Sequence, residues 1–291
     1  MSVLLLFVDG IGLGGDDPAT NPFARASLHR LRLFRDRPCP DPAALLVPTD
    51  ACMGVEGLPQ SATGLTSILS GVNAPAMVGR HINGYCTPSL ASLLDGRSLF
   101  SRVKAAGAAA AFANAYTPAY LEKLPRFVSV STTAVLRAGL RFRTLEDLQR
   151  GEAVFHDFTN RLLVERGQAP LPISPAEAGR RLAGLATRYD FTVYEHFLTD
   201  LAGHAQDMDR AVEILENLER FLDAVLGALD LSVHTVVLVS DHGNLEDLFT
   251  HQHTKNPVPT LIWGAGAQTL ATPIRTLADL APAILRQLRV L

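Results

Sequence analysis

Lysine is scarce in this chain, supplying three of the 26 basic residues. The base composition of the genome accounts for that bias more simply than selection for phosphate-gripping guanidinium groups. Cysteine is also sparse: Cys39, Cys52 and Cys86 are odd in number and show no Cys-x-x-Cys spacing. That excludes a disulfide framework and a thiolate zinc site, and leads us to expect a reducing, cytoplasmic setting. No excess of one charge sign exists, because 26 Lys+Arg face 29 Asp+Glu for a formal net charge of −3. The sequence therefore carries no electrostatic footprint for nucleic acid. No apolar run approaches the ~20 residues of a membrane span. The 22 Gly and 18 Pro are too few for a collagen-like or low-complexity chain. What remains, at 291 residues and 47% hydrophobic content, is a globular protein able to bury a large core.

The first apolar run, Val3 to Val8, has six residues, no preceding basic residue and Asp9 directly after it, so it is a buried strand and not a signal segment. After a Pro- and Arg-containing loop and the Gly54 to Pro59 segment, a short helix is expected from about Ala62 to Leu69. It stops at Gly71, with Ser61 at its N-cap or first turn. A helix over Leu99 to Ala106 and a strand over Ala108 to Ala113 follow. The pattern weakens from Thr117 to Pro172, apart from a helix start at Thr144-Leu145-Glu146-Asp147, and this stretch is our candidate for a small inserted cap. Ser174-Pro175-Ala176-Glu177 opens a helix to about Arg188. A strand from Phe191 to Phe197 comes next. Apolar residues at three- and four-residue spacing make Asp209 to Leu229 the longest helix, and strands are expected over Thr235 to Val239 and Val258 to Trp263. Alternating strands and helices predict an α/β fold, three layers of α/β/α around a mainly parallel sheet, in one domain over residues 1–291.

Three of these strands end in ionisable residues: Asp9 after the first, Asp200 soon after Phe197, and Asp241-His242 after Val239. Ligands of open α/β sheets bind outside the carboxyl ends of the strands. Carboxylates converging there repel one another unless a cation neutralises them. Asp200 and His204 are four residues apart, so one helical turn or a tight loop presents both to one ion. His251 and His253 add imidazoles in a loop before a strand, and mixed Asp and His donors suit zinc, manganese or iron. Taken singly, each Asp reads as a turn or cap residue and each His as a hydrogen-bonded one; their recurrence at several strand ends is what turn chemistry does not explain. Ser61 alone would be an ordinary cap, but at a helix N-terminus it also faces free N–H groups that favour a phosphate, and a metal there would make it a nucleophile.

Taken in order, Phe7-Val-Asp9-Gly-Ile-Gly, Gly57-Leu-Pro-x-Ser61-x-x-Gly64-x6-Gly71, Asp200-x-x-Gly-His204, Ser240-Asp241-His242-Gly-Asn244 and His253-Thr-x-Asn-Pro-Val-Pro259 resemble the metal-binding motifs of the alkaline phosphatase superfamily. The branch most similar is that of cofactor-independent phosphoglycerate mutase and phosphopentomutase, the metalloenzyme domain. The resemblance spans Asp9 to Pro259. It implies one divalent metal held by Asp9, Asp241, His242 and the Ser61 hydroxyl, and a second held by Asp200, His204 and His253, zinc or manganese in each case. It also implies that Ser61 is the nucleophile, with Thr63 and Thr66 as fallbacks and His251 as the alternative to His253. The implied mechanism is in-line attack by Ser61 on a phosphate bridging two metals ~4 Å apart, giving a phosphoserine intermediate. Asn244, Arg80, His81, Lys255, His156 and Asp157 are candidate substrate contacts.

The mutases of this branch are larger, with a substantial cap between nucleophile and later ligands, whereas here about 55 residues, Thr117 to Pro172, are available. A mutase must keep its dephosphorylated intermediate from water. The short cap therefore points to hydrolysis of a small-molecule phosphate ester, with a phosphomutase as the alternative and a phosphodiesterase or a metal-binding protein of little turnover behind it. A Ser and not a Cys at position 61 weighs against sulfatase activity.

Overall fold

Successive side chains of the first strand enter different cores, which sets the layering of the whole molecule. In the computed structural model, which describes residues 1–124 and 128–290, Val3, Leu5 and Phe7 join one buried cluster and Leu4, Leu6 and Val8 the other. A strand buried on both faces must be apolar at every position, unlike one with a solvated face. Among the described residues the strands are β1 (Val3–Val8), β2 (Ala44–Thr49), β3 (Ala110–Phe112), β4 (Ala115–Tyr116), β5 (Arg143–Thr144), β6 (Phe191–His196), β7 (Thr235–Val239) and β8 (Val258–Gly264). Six form the central sheet in the order β2-β8-β7-β1-β6-β3, and β4 pairs with β5 in a separate parallel ribbon. Only β8 runs against the others: β7, β1, β6 and β3 pair in parallel, while β8 is antiparallel to both β7 and β2.

One face is covered by helices that include Ser61–Ser70, Pro88–Leu94, Leu99–Ala105 and Leu280–Leu288, and the other by Pro175–Ala186 and Met208–Ala228. The result is the expected three-layer α/β/α arrangement. The Ser174 cap accepts a hydrogen bond from Glu177 N and Pro175 takes the first helical position, as its sequence implies. In Met208–Ala228, Leu215, Leu218, Leu222 and Val225 are all buried against the sheet. Truncating one of them to Ala would cost on the order of 3 kcal/mol.

Two expectations are corrected. The segment read as a loop before Gly54 contains the edge strand β2, whose Pro48 lies opposite Pro259 of β8. Proline is tolerated at an edge because one side of the strand needs no N–H donor, so it hid the strand from a pattern reading. The strand expected over Ala108 to Ala113 is limited to Ala110–Phe112. Within the 117–172 stretch, Leu145–Gln149 and Arg161–Glu165 contribute to a small separate core of Ala115, Leu145, Leu148, Ala153, Phe155 and Leu163, Pro118–Glu122 buries no residue, and Val130–Arg137 packs into the main core through Val130, Ala134 and Val135. Thr144 and Asp147 form the capping box of Leu145–Gln149. No helix among the described residues is long and apolar enough to cross a membrane.

Candidate metal centre

The parallel strands bring their carboxyl ends to one edge, and five chain segments deliver side chains there. Asp9 directly follows β1, and Asp241 and His242 follow β7. The helix Leu198–Ala205 begins two residues after β6, so Asp200 and His204, one turn apart, face the same ion-sized space. His253 comes from the loop before β8. Ser61 is the first residue of Ser61–Ser70, after Gln60 as N-cap.

Ser61 Oγ lies 2.9 Å from His242 Nε2, and the same nitrogen is 3.2 Å from Asp9 Oδ1 and 3.6 Å from Asp241 Oδ2. Next to this group, His204 Nε2 is 3.3 Å from Asp200 Oδ2 and His253 Nε2 is 3.7 Å from Asp200 Oδ1. The rings of His242 and His253 stack with centroids 3.6 Å apart. Asp200, His204 and His253 present donor atoms within 4.8 Å of one another, as do Asp9, Asp200 and His242. Thr63 and Thr66 are buried, Thr66 donating to Ala62 O and Thr63 donating to Gln60 O and accepting from Ile82 N, so of the three hydroxyls Ser61 alone reaches the cluster. His251 contributes its carbonyl to His204 Nδ1 at 2.8 Å, and His253 contributes the imidazole.

The backbone fixes which nitrogen each ring turns inward. His253 Nδ1 is 2.8 Å from Pro59 O, and His204 Nδ1 is 2.8 Å from His251 O. With Nδ1–H spent on a carbonyl, a neutral ring offers only the Nε2 lone pair to the site. His204 Nε2 and His253 Nε2 are nevertheless 3.1 Å apart. Two lone pairs at that distance require a cation, either a proton on one ring or a metal ion. The carboxylates make the same demand. Asp9 Oδ1 and Asp241 Oδ2 are buried without a hydrogen-bond partner. Burial and then the neighbouring Asp9 raise the Asp241 carboxyl well above its usual range and shift Asp200 in the same direction. Burial disfavours the His242 imidazolium, yet Asp241, Asp9 and Asp200 outweigh it and hold its pKa at about 10. Burial and the charge on His242 lower His253 to about 4. Oxygen and imidazole donors with unspent lone pairs, crowded negative charge and oriented tautomers fit divalent cations of the zinc or manganese type.

One residue that the sequence did not single out, Glu246, holds this arrangement together with Asn244, Gly64 and Gly10. The buried Glu246 carboxylate accepts hydrogen bonds from Gly12 N at 2.9 Å, Asn244 N at 2.8 Å, Asn256 Nδ2 at 2.9 Å and the Thr254 hydroxyl. It thereby ties together the loops after β1, after β7 and before β8. It stands two residues beyond Asn244, and a buried acid without such partners would be costly. Asn244 Nδ2 in turn donates to Asp200 Oδ1 at 2.7 Å, so it orients a carboxylate. Gly64 is required by close approach, because a Cβ there would stand 2.8 Å from Asp241 Cβ and 2.9 Å from Asp241 O. Gly10 combines φ of +72° with backbone against Asp200.

The other proposed contacts are scattered. Arg80 and Lys255 are exposed and line none of the cavities described here, and His81 Nε2 is 3.4 Å from Val55 O, away from the cluster. Asp157 accepts from Thr159 N, Asn160 N and Leu162 N and so caps Arg161–Glu165, which leaves it in a structural position and not at the cluster. His156 lies in a neighbouring cavity beside Glu195 and Phe197. The cavity at the cluster, about 390 Å³, includes Asp9, Ser61, Asp200, Tyr85, Glu195 and Phe197. Desolvation pushes the Glu195 carboxyl up to about 7, opposed by the Ser131 hydroxyl that donates to it at 2.6 Å. A third acid-imidazole group, His29, Glu219 and Asp223, has its charges occupied: Glu219 accepts three backbone N–H groups, and Arg30 bonds Asp223.

Fold and motif order together resemble those of the alkaline-phosphatase-like metalloenzymes. Residues 176–290 match the family model of the Metalloenzyme superfamily. A 2,3-bisphosphoglycerate-independent phosphoglycerate mutase of Gloeothece citriformis is 33% identical over 131 residues, covering 39% of this chain and 25% of that protein. A Roseobacter denitrificans protein of the same name is 28% identical over 198 residues, covering 60% and 39%. The matches thus span about a fifth to two fifths of the length of these curated relatives. Among solved structures, the PH0037 protein from Pyrococcus horikoshii aligns over 100% of this chain and 97% of its own at a TM-score of 0.63 and 16% identity. The alkaline phosphatase from the Antarctic bacterium TAB5 aligns over 100% and 98% at 0.55 and 13%. At these identities the likeness is one of fold.

Proposed function

We propose that the protein is a metal-dependent phosphoryl-transfer enzyme that hydrolyses a small-molecule phosphate ester through a phosphoserine at Ser61. The observation that carries this reading is the Ser61 hydroxyl at a helix N-terminus, 2.9 Å from His242 Nε2 and among the carboxylates of Asp9, Asp200 and Asp241. Asp9, Asp241, His242 and Ser61 would hold one divalent cation, and Asp200, His204 and His253 a second, each zinc or manganese. Such cations neutralise the phosphate, polarise its oxygens and lower the pKa of the hydroxyl.

The chain's own residues supply the rest. Free N–H groups in the first turn of Ser61–Ser70 point at the phosphate. Ser61 Oγ forms a bond to phosphorus as the ester P–O bond breaks, and the alcohol leaves after taking up a proton. Water then attacks the phosphoserine, returning the hydroxyl of Ser61 and releasing inorganic phosphate. His242, packed on His253 with Nε2 2.9 Å from Ser61 Oγ, would hold the cation it shares with Ser61 beside the attacking oxygen and so set the direction of attack. The 117–172 stretch acts as a reduced cap on one domain, and its modest size favours access of water. Free Cys39, Cys52 and Cys86 fit a reducing, cytoplasmic setting.

The named relatives favour a second reading, a phosphomutase, in which a second hydroxyl and not water takes the phosphoryl group. Incubation with glycerate and pentose phosphates separates the two: hydrolysis releases inorganic phosphate with Ser61 dependence, whereas a mutase yields the isomeric ester and little phosphate.

A further inference from the structure

A second cavity, of about 300 Å³, shares Ser129, Glu195 and Phe197 with the cavity that holds Ser61. Six of its lining residues carry rings: Phe112, Tyr116, Tyr120, Phe155, His156 and Phe197. They pack on one another around the space, with His156 stacked 4.3 Å from Phe197 and Tyr116 centred 5.4 Å from Tyr120. Protein interiors close over voids of this size, so a ring-lined space beside a reaction centre has the dimensions and character of a ligand pocket. Several of its polar groups are already bonded within the protein: Ser129 and Tyr116 to Thr132, and Glu195 to Ser131. Asn114 is spent on the backbone of Glu195 at 2.7 and 2.9 Å. His156 Nδ1 is buried without a partner, and Arg166 makes no ion pair with another described residue. A small glycerate would set its carboxylate beside Glu195 with one arginine to balance both and would leave the aromatic walls uncovered.

Resting on the Ser61 reading above, we propose that this cavity seats the alcohol half of the substrate, which is a phosphate monoester of an alcohol bearing an aromatic or heteroaromatic ring. The phosphate lies at Ser61, and the ring lies beyond Glu195 and Phe197 among Tyr116, Tyr120 and Phe155. Ring stacking supplies the affinity, and the edge of a heteroaromatic ring meets the Arg166 guanidinium.

The test compares 2-phenylethyl phosphate with propyl phosphate, whose alcohols leave with similar intrinsic ease, in wild type, Tyr120→Ala and Arg166→Ala. Tyr120 sits on a short helix with no buried residue, so its truncation leaves the core intact. The expected result is a kcat/KM about tenfold higher for the phenyl ester, residing in KM. Tyr120→Ala should remove most of that preference by raising KM for the phenyl ester. Binding of 2-naphthol, read by ligand-observed NMR without turnover, should weaken in the same variant. Equal kcat/KM for the two esters, or naphthol binding that is absent or indifferent to Tyr120→Ala, overturns the proposal. Tyr120-dependent naphthol binding with no hydrolysis of either ester by any metal form removes instead the phosphoryl-transfer reading and leaves a ring-binding cavity.

Discussion

His204 Nε2 and His253 Nε2 face each other at 3.1 Å, each ring held by a backbone carbonyl on its far side. A neutral pair in these tautomers repels, and a divalent cation converts that repulsion into two bonds. The protein should therefore bind zinc or manganese and gain thermal stability from it, about 2.7 kcal/mol at a free metal concentration one hundred times Kd. His204→Ala and His253→Ala should each weaken binding by at least ~100-fold, beyond what loss of a supporting group causes. Competition with a chromophoric chelator measures it; unchanged affinity in both variants would exclude these rings as ligands.

Glu246 touches none of the metal-facing atoms named above, yet it joins three of the loops that carry them. Glu246→Ala should lower metal affinity by ~10–100-fold, as removal of outer-shell partners does. It also strands the N–H groups of Gly12 and Asn244 in a buried site, costing about 1–3 kcal/mol for each group left unpaired. Chelator competition and a melting curve on the same sample check both, and a variant with wild-type metal affinity would contradict this role.

Gly64→Ala distinguishes helix propensity from close approach. In an exposed helix the change would stabilise by about 1 kcal/mol. Here the new methyl meets Asp241 at 2.8 Å and should push Ser61–Ser70 away from the β7 loop. The expected outcome is a lower melting temperature and a fall in kcat larger than any rise in KM; a more stable, fully active variant would show that the approach is not needed.

Much of this arrangement was legible before the structure. A strand buried on both faces is apolar throughout, so β1 and β7 announced themselves, and the acids following them could be placed at the sheet's carboxyl edge. Asp200 and His204 needed only the helical period. Glu246 was missed because its tie to Gly12 N crosses most of the chain, and no spacing records such a meeting. The edge strand β2 was hidden by Pro48. Glu195 and the aromatic cavity escaped because rings from 112, 116, 120, 155 and 197 converge through tertiary packing, while each alone reads as core.

His156 sets an acid limit. Burial, reinforced by His196 and Arg166, lowers its pKa to about 3, against an ordinary value of 6.5. The folded state thus stays neutral where the unfolded chain takes up a proton. That contribution to stability is complete above pH 6.5 and is lost as pH falls toward 3, by up to about 2 kcal/mol between 6.5 and 5. His156→Phe keeps the stacking on Phe197 and removes the titration. Its melting temperature should decline less steeply than that of wild type over this range; parallel curves would assign the acid sensitivity elsewhere.

The most direct test of the whole account is peptide mass spectrometry on protein quenched during turnover of an aryl phosphate with zinc or manganese. The account predicts one added phosphoryl group on the peptide that contains Ser61, absent in Ser61→Ala, together with phosphate release that the variant lacks. Phosphate release that persists in Ser61→Ala, or no release and no modification across both metals, would contradict it.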